Sequence, residues 1–242
     1  MNKQVKVKLK PSGSLYPILI SDSTLEALKW LAMLSMTVDH ANRFFWHTSS
    51  YAAYCFGRLA MPLFAFIFAY NLARPGVFER GFYFKTFRRL TFFGILATPA
   101  YMAMKGLHHL WPLNIMFMLL IAAFLFFLYE KKGIVNILIA LFLFLLGSAF
   151  VEYSWPGVLF CISCWFYCRN PSIFALIATF YSYYLIGHLN ENNWALVTLP
   201  LIIFAAKIEL RLPRIPYFFY IYYPGHLTLF WLLSRIIYAL PE

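Results

Sequence analysis

The chain has 242 residues, of which 62% are hydrophobic, 21% aromatic and only 12% charged. A soluble domain carries about 25% charged residues, and 27 Phe with 17 Tyr exceed what one soluble core of this length can hide; a soluble globular enzyme, a disordered chain and a disulfide scaffold are excluded. The net charge of +11 is read through its placement along a membrane protein, and no nucleic acid partner is expected. What remains is an all-α fold, a polytopic transmembrane helical bundle.

Residues 1–24 are polar, and Lys3, Lys6, Lys8 and Lys10 alternate there with Val and Leu. No apolar signal-peptide core follows Met1. The segment reads as a cytoplasmic tail, either touching anionic headgroups or simply obeying the positive-inside bias. Ser23 and Glu26 have capping-box spacing, so the first helix is expected to begin near residue 24. Residues 25–242 then form a single transmembrane domain. Its apolar segments fall at 25–46, 52–73, 86–104, 112–129, 134–150, 156–168, 172–187, 194–207 and 217–237. A full crossing takes about 20 residues, so the sixth and eighth are short and must tilt, or dip in without crossing.

Charge orients them. With the N-terminus inside, the inner ends hold Lys3, Lys6, Lys8, Lys10, Lys29, Arg74, Arg80, Lys85, Arg88, Arg89, Lys131, Lys132, Arg169, Lys207, Arg211 and Arg214. The outer ends hold Arg43, Lys105 and Arg235, and Arg58 lies within the second segment. The asymmetry favours nine crossings with the N-terminus cytoplasmic.

Ionisable residues inside spans are costly and mark candidate sites. The first segment contains Asp39-His40 and the second Gly57-Arg58-Leu59-Ala60-Met61-Pro62. His40 and Arg58 each lie about six residues, roughly 9 Å, below the outer boundary. Consecutive antiparallel helices are usually neighbours, so Asp39, His40 and Arg58 can converge in one polar pocket. An imidazole takes and gives a proton near neutral pH. Arg58 needs a partner, for which Asp39 is the natural choice and Arg43 a competitor for that carboxylate. A purely structural ion pair, with His40 merely hydrogen-bonded, fits the spacing equally well.

The third segment opens with Lys85-Thr86-Phe87-Arg88-Arg89, a basic cluster suited to phosphate and equally to topology or headgroup contact. Asn114 opens the fourth segment. The Pro224-Gly225-His226 run is expected to break or kink the last one and to bring His226 to mid-depth, as a pocket residue or as part of an aromatic-packed kink. Cys161, Cys164 and Cys168 lie in an apolar span without His or carboxylate beside them and read as packing; no HExxH-like spacing occurs and no metal is expected.

At these residues the sequence resembles the TraX family, inner-membrane acetylases of pilin in F-type conjugation systems. The resemblance runs from about residue 25 to 235. It is carried by Leu28-Lys29-Trp30-Leu31-Ala32-Met33-Leu34-Ser35-Met36, Asp39-His40, Gly57-Arg58-Leu59-Ala60-Met61-Pro62, Arg88-Arg89-Leu90, Asn114-Ile115 and Tyr222-Tyr223-Pro224-Gly225-His226-Leu227. Met61 stands where many relatives carry Phe. The resemblance implies transfer of an acetyl group from cytoplasmic acetyl-CoA to the N-terminal amine of mature pilin, in a multi-pass protein of the bacterial inner membrane surrounded by membrane lipids. It implies His40 as general base, Asp39 orienting it, Arg58 stabilising charge, and Lys85, Arg88 and Arg89 near the CoA phosphates. Asn114 and His226 are the expected further pocket residues. Two other classes fit the intramembrane charges: a small-solute or proton-coupled transporter, against which no repeated halves are seen, and a non-catalytic scaffold of a conjugation complex.

Overall fold

The computed structural model describes residues 15–106, 108–210, 212 and 215–238. Lys3, Lys6, Lys8, Lys10, Arg211 and Arg214 lie outside the described residues.

Helix α1 (Asp22–Phe45) is capped by Ser21, whose extended backbone presents its side-chain oxygen to the Thr24 N–H at 3.2 Å. The expected cap at Ser23 is thus displaced by two residues. Ser23 lies inside the first turn, and Glu26 is turned away to Lys29 at 2.8 Å.

The second apolar segment is not one continuous helix. It divides into α2 (Tyr51–Gly57) and α3 (Ala60–Leu72). The cause is Pro62, which has no N–H to give the Arg58 carbonyl one turn earlier. The chain tightens instead: the N–H groups of Arg58 and Leu59 bond three residues back, to Cys55 and Phe56, at 3.1 and 3.2 Å.

The remaining helices are α4 (Phe82–Lys105), α5 (Ile115–Lys131), α6 (Ile134–Phe142), α7 (Ser154–Arg169), α8 (Ile173–Asn190), α9 (Thr198–Ala205) and α10 (Phe218–Ile237). A π turn (Leu143–Gly147) and a 3-10 turn (Ser148–Phe150) extend α6, and a 3-10 turn (Trp194–Val197) leads into α9. Of the break or kink expected at Pro224-Gly225, the break does not occur, and α10 continues through the proline. A proline forfeits one intrahelical bond, and here stacked neighbours hold the turn. The Tyr222 ring lies 4.7 Å from that of His226, and His226 bonds the Tyr222 carbonyl.

Contacts at the helix ends show how the passes alternate. At one end Tyr238 donates to the Phe45 carbonyl and Tyr54 to the Asn190 carbonyl, both at 2.8 Å. There too Lys105 meets Glu152 at 3.2 Å, and Leu113 bridges Val151. At the opposite end Thr24 meets the Ile208 carbonyl, Arg74 pairs with Asp22, and Tyr83 and Arg169 both reach Glu130. With α2 and α3 taken as one pass, the described residues run alternately between these two ends. Two stretches, Tyr51–Leu72 and Ile173–Asn190, are long and apolar enough to cross a membrane by length and composition. Charge keeps others from that standard: α1 carries Asp22, Glu26, Lys29, Asp39 and Arg43.

The core lies along α7. Phe160, Cys161 and Trp165 are fully buried there, and Trp165 stacks on Phe126 with centroids 5.0 Å apart. By contrast α6 has no buried residue, and Ile137, Leu138, Leu141 and Phe142 are exposed on it. An apolar surface of this extent calls for lipid or a partner. Truncating Trp165→Ala empties the centre of the bundle. It is expected to cost about 3–5 kcal/mol, read as a lowered midpoint in reversible unfolding of the detergent-solubilised protein.

Candidate functional site

A cavity of about 530 Å³ opens at the end of the bundle where Lys105 meets Glu152. Its walls come from α1 (Met36, Asp39, His40, Arg43), the α2–α3 break (Tyr54, Gly57, Arg58, Ala60, Met61, Phe64), the end of α4, and the segment around Glu152-Tyr153.

Two local features bring charge to this wall. The break made by Pro62 falls at Arg58, on the side facing α1. Gly57 then allows the helices to touch. A Cβ at residue 57 would lie 2.4 Å from Asp39 Cβ, so only a bare backbone fits. The Ser35 hydroxyl pins the same contact, donating to the Phe56 carbonyl at 2.6 Å.

Asp39 is 7% exposed and Arg58 5%. Arg58 Nη2 donates to Asp39 Oδ1 at 2.7 Å, and Arg43 Nε to Asp39 Oδ2 at 3.1 Å. One carboxylate therefore serves two guanidinium groups. Arg58 spends further donors on the Tyr54 carbonyl at 3.1 Å and Asn190 Oδ1 at 3.2 Å, and its guanidinium sits 4.3 Å over the Tyr54 ring. A buried pair is tolerable when its remaining donors are met in this way. The charged groups lining the cavity are Asp39, Glu152, Arg43, Arg58 and Lys105, so the wall carries one more positive charge than negative.

His40 follows Asp39 in sequence but turns elsewhere, since adjacent helical residues diverge by about 100°. Its Nδ1 lies 2.7 Å from Nε2 of His226, with the two rings nearly parallel at 8°. The expectation that Asp39 orients His40 gives way to this geometry. Asp39 holds two arginines, and His226 holds His40.

His226 is buried and does not itself line the cavity; it backs the residue that does. Asn114 is placed differently from the expected pocket position. It is buried, its Oδ1 caps the Met116 N–H at 3.1 Å, and its Nδ2 reaches the Gly94 carbonyl at 2.9 Å. Its side chain is consumed in fastening α5 to α4. Lys85 and Arg88 are exposed, and Arg89 donates to the Tyr217 hydroxyl at 3.0 Å. All three lie at the far end of α4, about 24–30 Å along the helix from Lys105, and none lines the cavity. Between them and the cavity floor stand rings from α1, α3, α4 and α10: Trp30 with Phe219 at 5.6 Å, Phe64 with Phe219 at 6.4 Å, and Phe93 with Tyr220 at 5.7 Å.

The sequence reading missed Tyr54 and Asn190. Tyr54 precedes Arg58 by one helical turn, which is a visible signal; Asn190 had none beyond its polarity at the end of an apolar helix.

The described residues thus form an all-helical bundle with a buried carboxylate–guanidinium cluster and a histidine on one cavity wall. The model of the TraX family, described as TraX protein, matches residues 24–234, and the chain belongs to that family. Membership associates it with pilin and conjugation. No curated protein and no solved structure matches the chain.

Removing Asp39 leaves Arg58 buried without its counter-charge. Asp39→Ala is expected to cost about 3–5 kcal/mol. Asp39→Ala with Arg58→Met should lose less than the two single changes added together, by about 0.5–3 kcal/mol, when unfolding of all four proteins is compared in a double-mutant cycle.

Proposed function

We propose that the protein is an integral-membrane acetyltransferase that moves an acetyl group from acetyl-CoA to the N-terminal amine of mature pilin. In this reading its helical passes cross the bacterial inner membrane nine times, with the basic end in the cytoplasm and the cavity end outward. The observation that carries it is an imidazole at the wall of a cavity edged by surplus positive charge, in a member of the TraX family. The apolar outer surface and the crowding of Arg74, Arg80, Lys85, Arg88 and Arg89 at one end support the orientation.

The chemistry follows from those groups. A neutral amine is needed, because an ammonium has no lone pair for attack. The net positive wall disfavours a second cation and so favours the neutral amine. Acetyl-CoA supplies an activated carbonyl carbon bound to sulfur. As the amine nitrogen bonds to that carbon, His40 takes the proton the nitrogen sheds. Arg58 and Arg43 oppose the negative charge that grows on the carbonyl oxygen. The C–S bond then breaks, and the sulfur leaves as a thiol, taking its proton from the His40 imidazolium. The products are an amide and CoA, and His40 returns neutral.

Lys85, Arg88 and Arg89 suit the nucleotide phosphates of the donor by charge. The thioester must then pass the Trp30–Phe64–Phe219 layer to meet His40, so donor delivery depends on those rings moving.

Two experiments test this. Intact-mass analysis of co-expressed pilin should show an increment of roughly 42 Da, one acetyl group, with the wild-type protein, and none with His40→Ala at equal expression. Acetylated pilin from that variant would remove His40 from the reaction. Phe219→Ala, which thins the aromatic layer, should change KM for acetyl-CoA by several-fold while leaving KM for the acceptor in place. An unchanged donor KM would mean that the donor enters elsewhere.

A further inference from the structure

The proposed reaction needs His40 to offer an unprotonated ring nitrogen to the acceptor, and a neutral imidazole can carry its proton on either nitrogen. The hydrogen bonds around His226 leave one arrangement. The Tyr222 carbonyl can only accept, so His226 Nδ1, 2.7 Å away, carries the proton and donates. In a neutral ring Nε2 is then a bare acceptor. It faces His40 Nδ1 at 2.7 Å, so the proton between the two rings belongs to His40 Nδ1. That leaves His40 Nε2 as a lone pair. It takes no hydrogen bond from the described residues, and it is not among the sealed, unpartnered polar atoms of the structure. His40 itself lines the cavity.

We propose that His226 is a positioning residue that sets the tautomer of His40, so that Nε2 of His40 faces the acceptor as a base. The assignment rests on the acetyltransfer reading for its use, but not for its geometry. Each link is mechanically fixed. The Tyr222 ring stacks on His226 at 4.7 Å and 12°, and Phe230 meets its other neighbourhood edge-on at 5.8 Å. The Tyr222 hydroxyl is tied in turn to Thr37 on α1 at 2.7 Å, one turn before His40. So beside His40, α10 and α1 are fastened twice, once by Thr37–Tyr222 and once by the imidazole pair. A backbone carbonyl is well suited to this task, since it cannot donate and cannot reverse the chain of bonds. It replaces the carboxylate that orients the imidazole of a Ser-His-Asp triad, and it adds no negative charge to a wall that must stabilise one.

Two measurements separate this proposal from the reaction it serves. The first is nitrogen NMR of the wild-type protein in lipid nanodiscs, with 15N-histidine and with His40→Gln and His226→Gln for assignment. The expected spectrum has both residues protonated at Nδ1 and bare at Nε2. A His40 protonated at Nε2 overturns the proposal, whether or not the protein acetylates anything. The second uses pilin acetylation. His226→Leu removes the acceptor facing His40 Nδ1 and should lower kcat about 10- to 100-fold with KM for both substrates kept, short of the roughly 10²–10⁴-fold expected when a base is deleted. His226→Gln offers a carbonyl oxygen to the same Nδ1–H and should recover most of that loss. Equal loss in Leu and Gln variants, at equal folded yield, would show that His226 acts only as packing.

Discussion

The site is organised around one carboxylate shared by two arginines. Asp39 is the meeting point of α1 with the break between α2 and α3, and its two oxygens are assigned separately, one to Arg58 and one to Arg43. Removing these charges from water is expensive, and the expense is recovered only because each nitrogen of the buried Arg58 guanidinium finds a partner. That requirement dictates much of the surroundings. Gly57 must lack a side chain for α1 to come near, Pro62 must open the turn that bears Arg58, and Asn190 and Tyr54 must close off the remaining donors. The consequence for chemistry is a wall with one unmatched positive charge, beside a histidine whose orientation comes from elsewhere.

Separation of tasks between Asp39 and His226 is the main way in which the arrangement departs from a catalytic triad. In a triad the carboxylate both orients the imidazole and balances its charge. Here the carboxylate is committed to arginines, and the histidine is held by a second imidazole that is itself anchored to a carbonyl. A partner without negative charge leaves the positive character of the wall intact, which matters where the developing charge is an oxyanion.

Some of this was legible in the sequence. The depth of His40 and Arg58, each about six residues from the outer boundary, is enough to say that Asp39, His40 and Arg58 can converge; which partner Asp39 takes stays open in the sequence, and the structure gives it both arginines. The segment boundaries were legible because apolar runs are bounded by Arg, Lys, Pro and Gly. What was not legible turned on direction. Asp39 and His40 are adjacent, and adjacency does not say which way either faces; only the position of α10 decides that His40 turns to His226. Asn114 looked like a pocket group because it is polar at the start of an apolar run, yet Asn in that place is also a favoured helix cap, and the cap won. At Pro224 the local rule for proline predicts a break or a kink, and the stack of Tyr222 on His226 keeps the helix unbroken. At Pro62, inside a segment that reads as one run over 52–73, the break does form, because the opened turn is held by the buried Arg58.

On the proposed membrane orientation, the layer of Trp30, Phe64 and Phe219 has a consequence for the cell as well as for the proposed reaction. A bilayer that stores an electrochemical gradient cannot tolerate a continuous wet column through one of its proteins, and a chamber with titratable walls would be an easy route for proton leakage. In the proposed orientation the edge-to-face rings beneath the chamber would work as an airlock: the polar room could stay hydrated from one side while the voltage across the bilayer is kept.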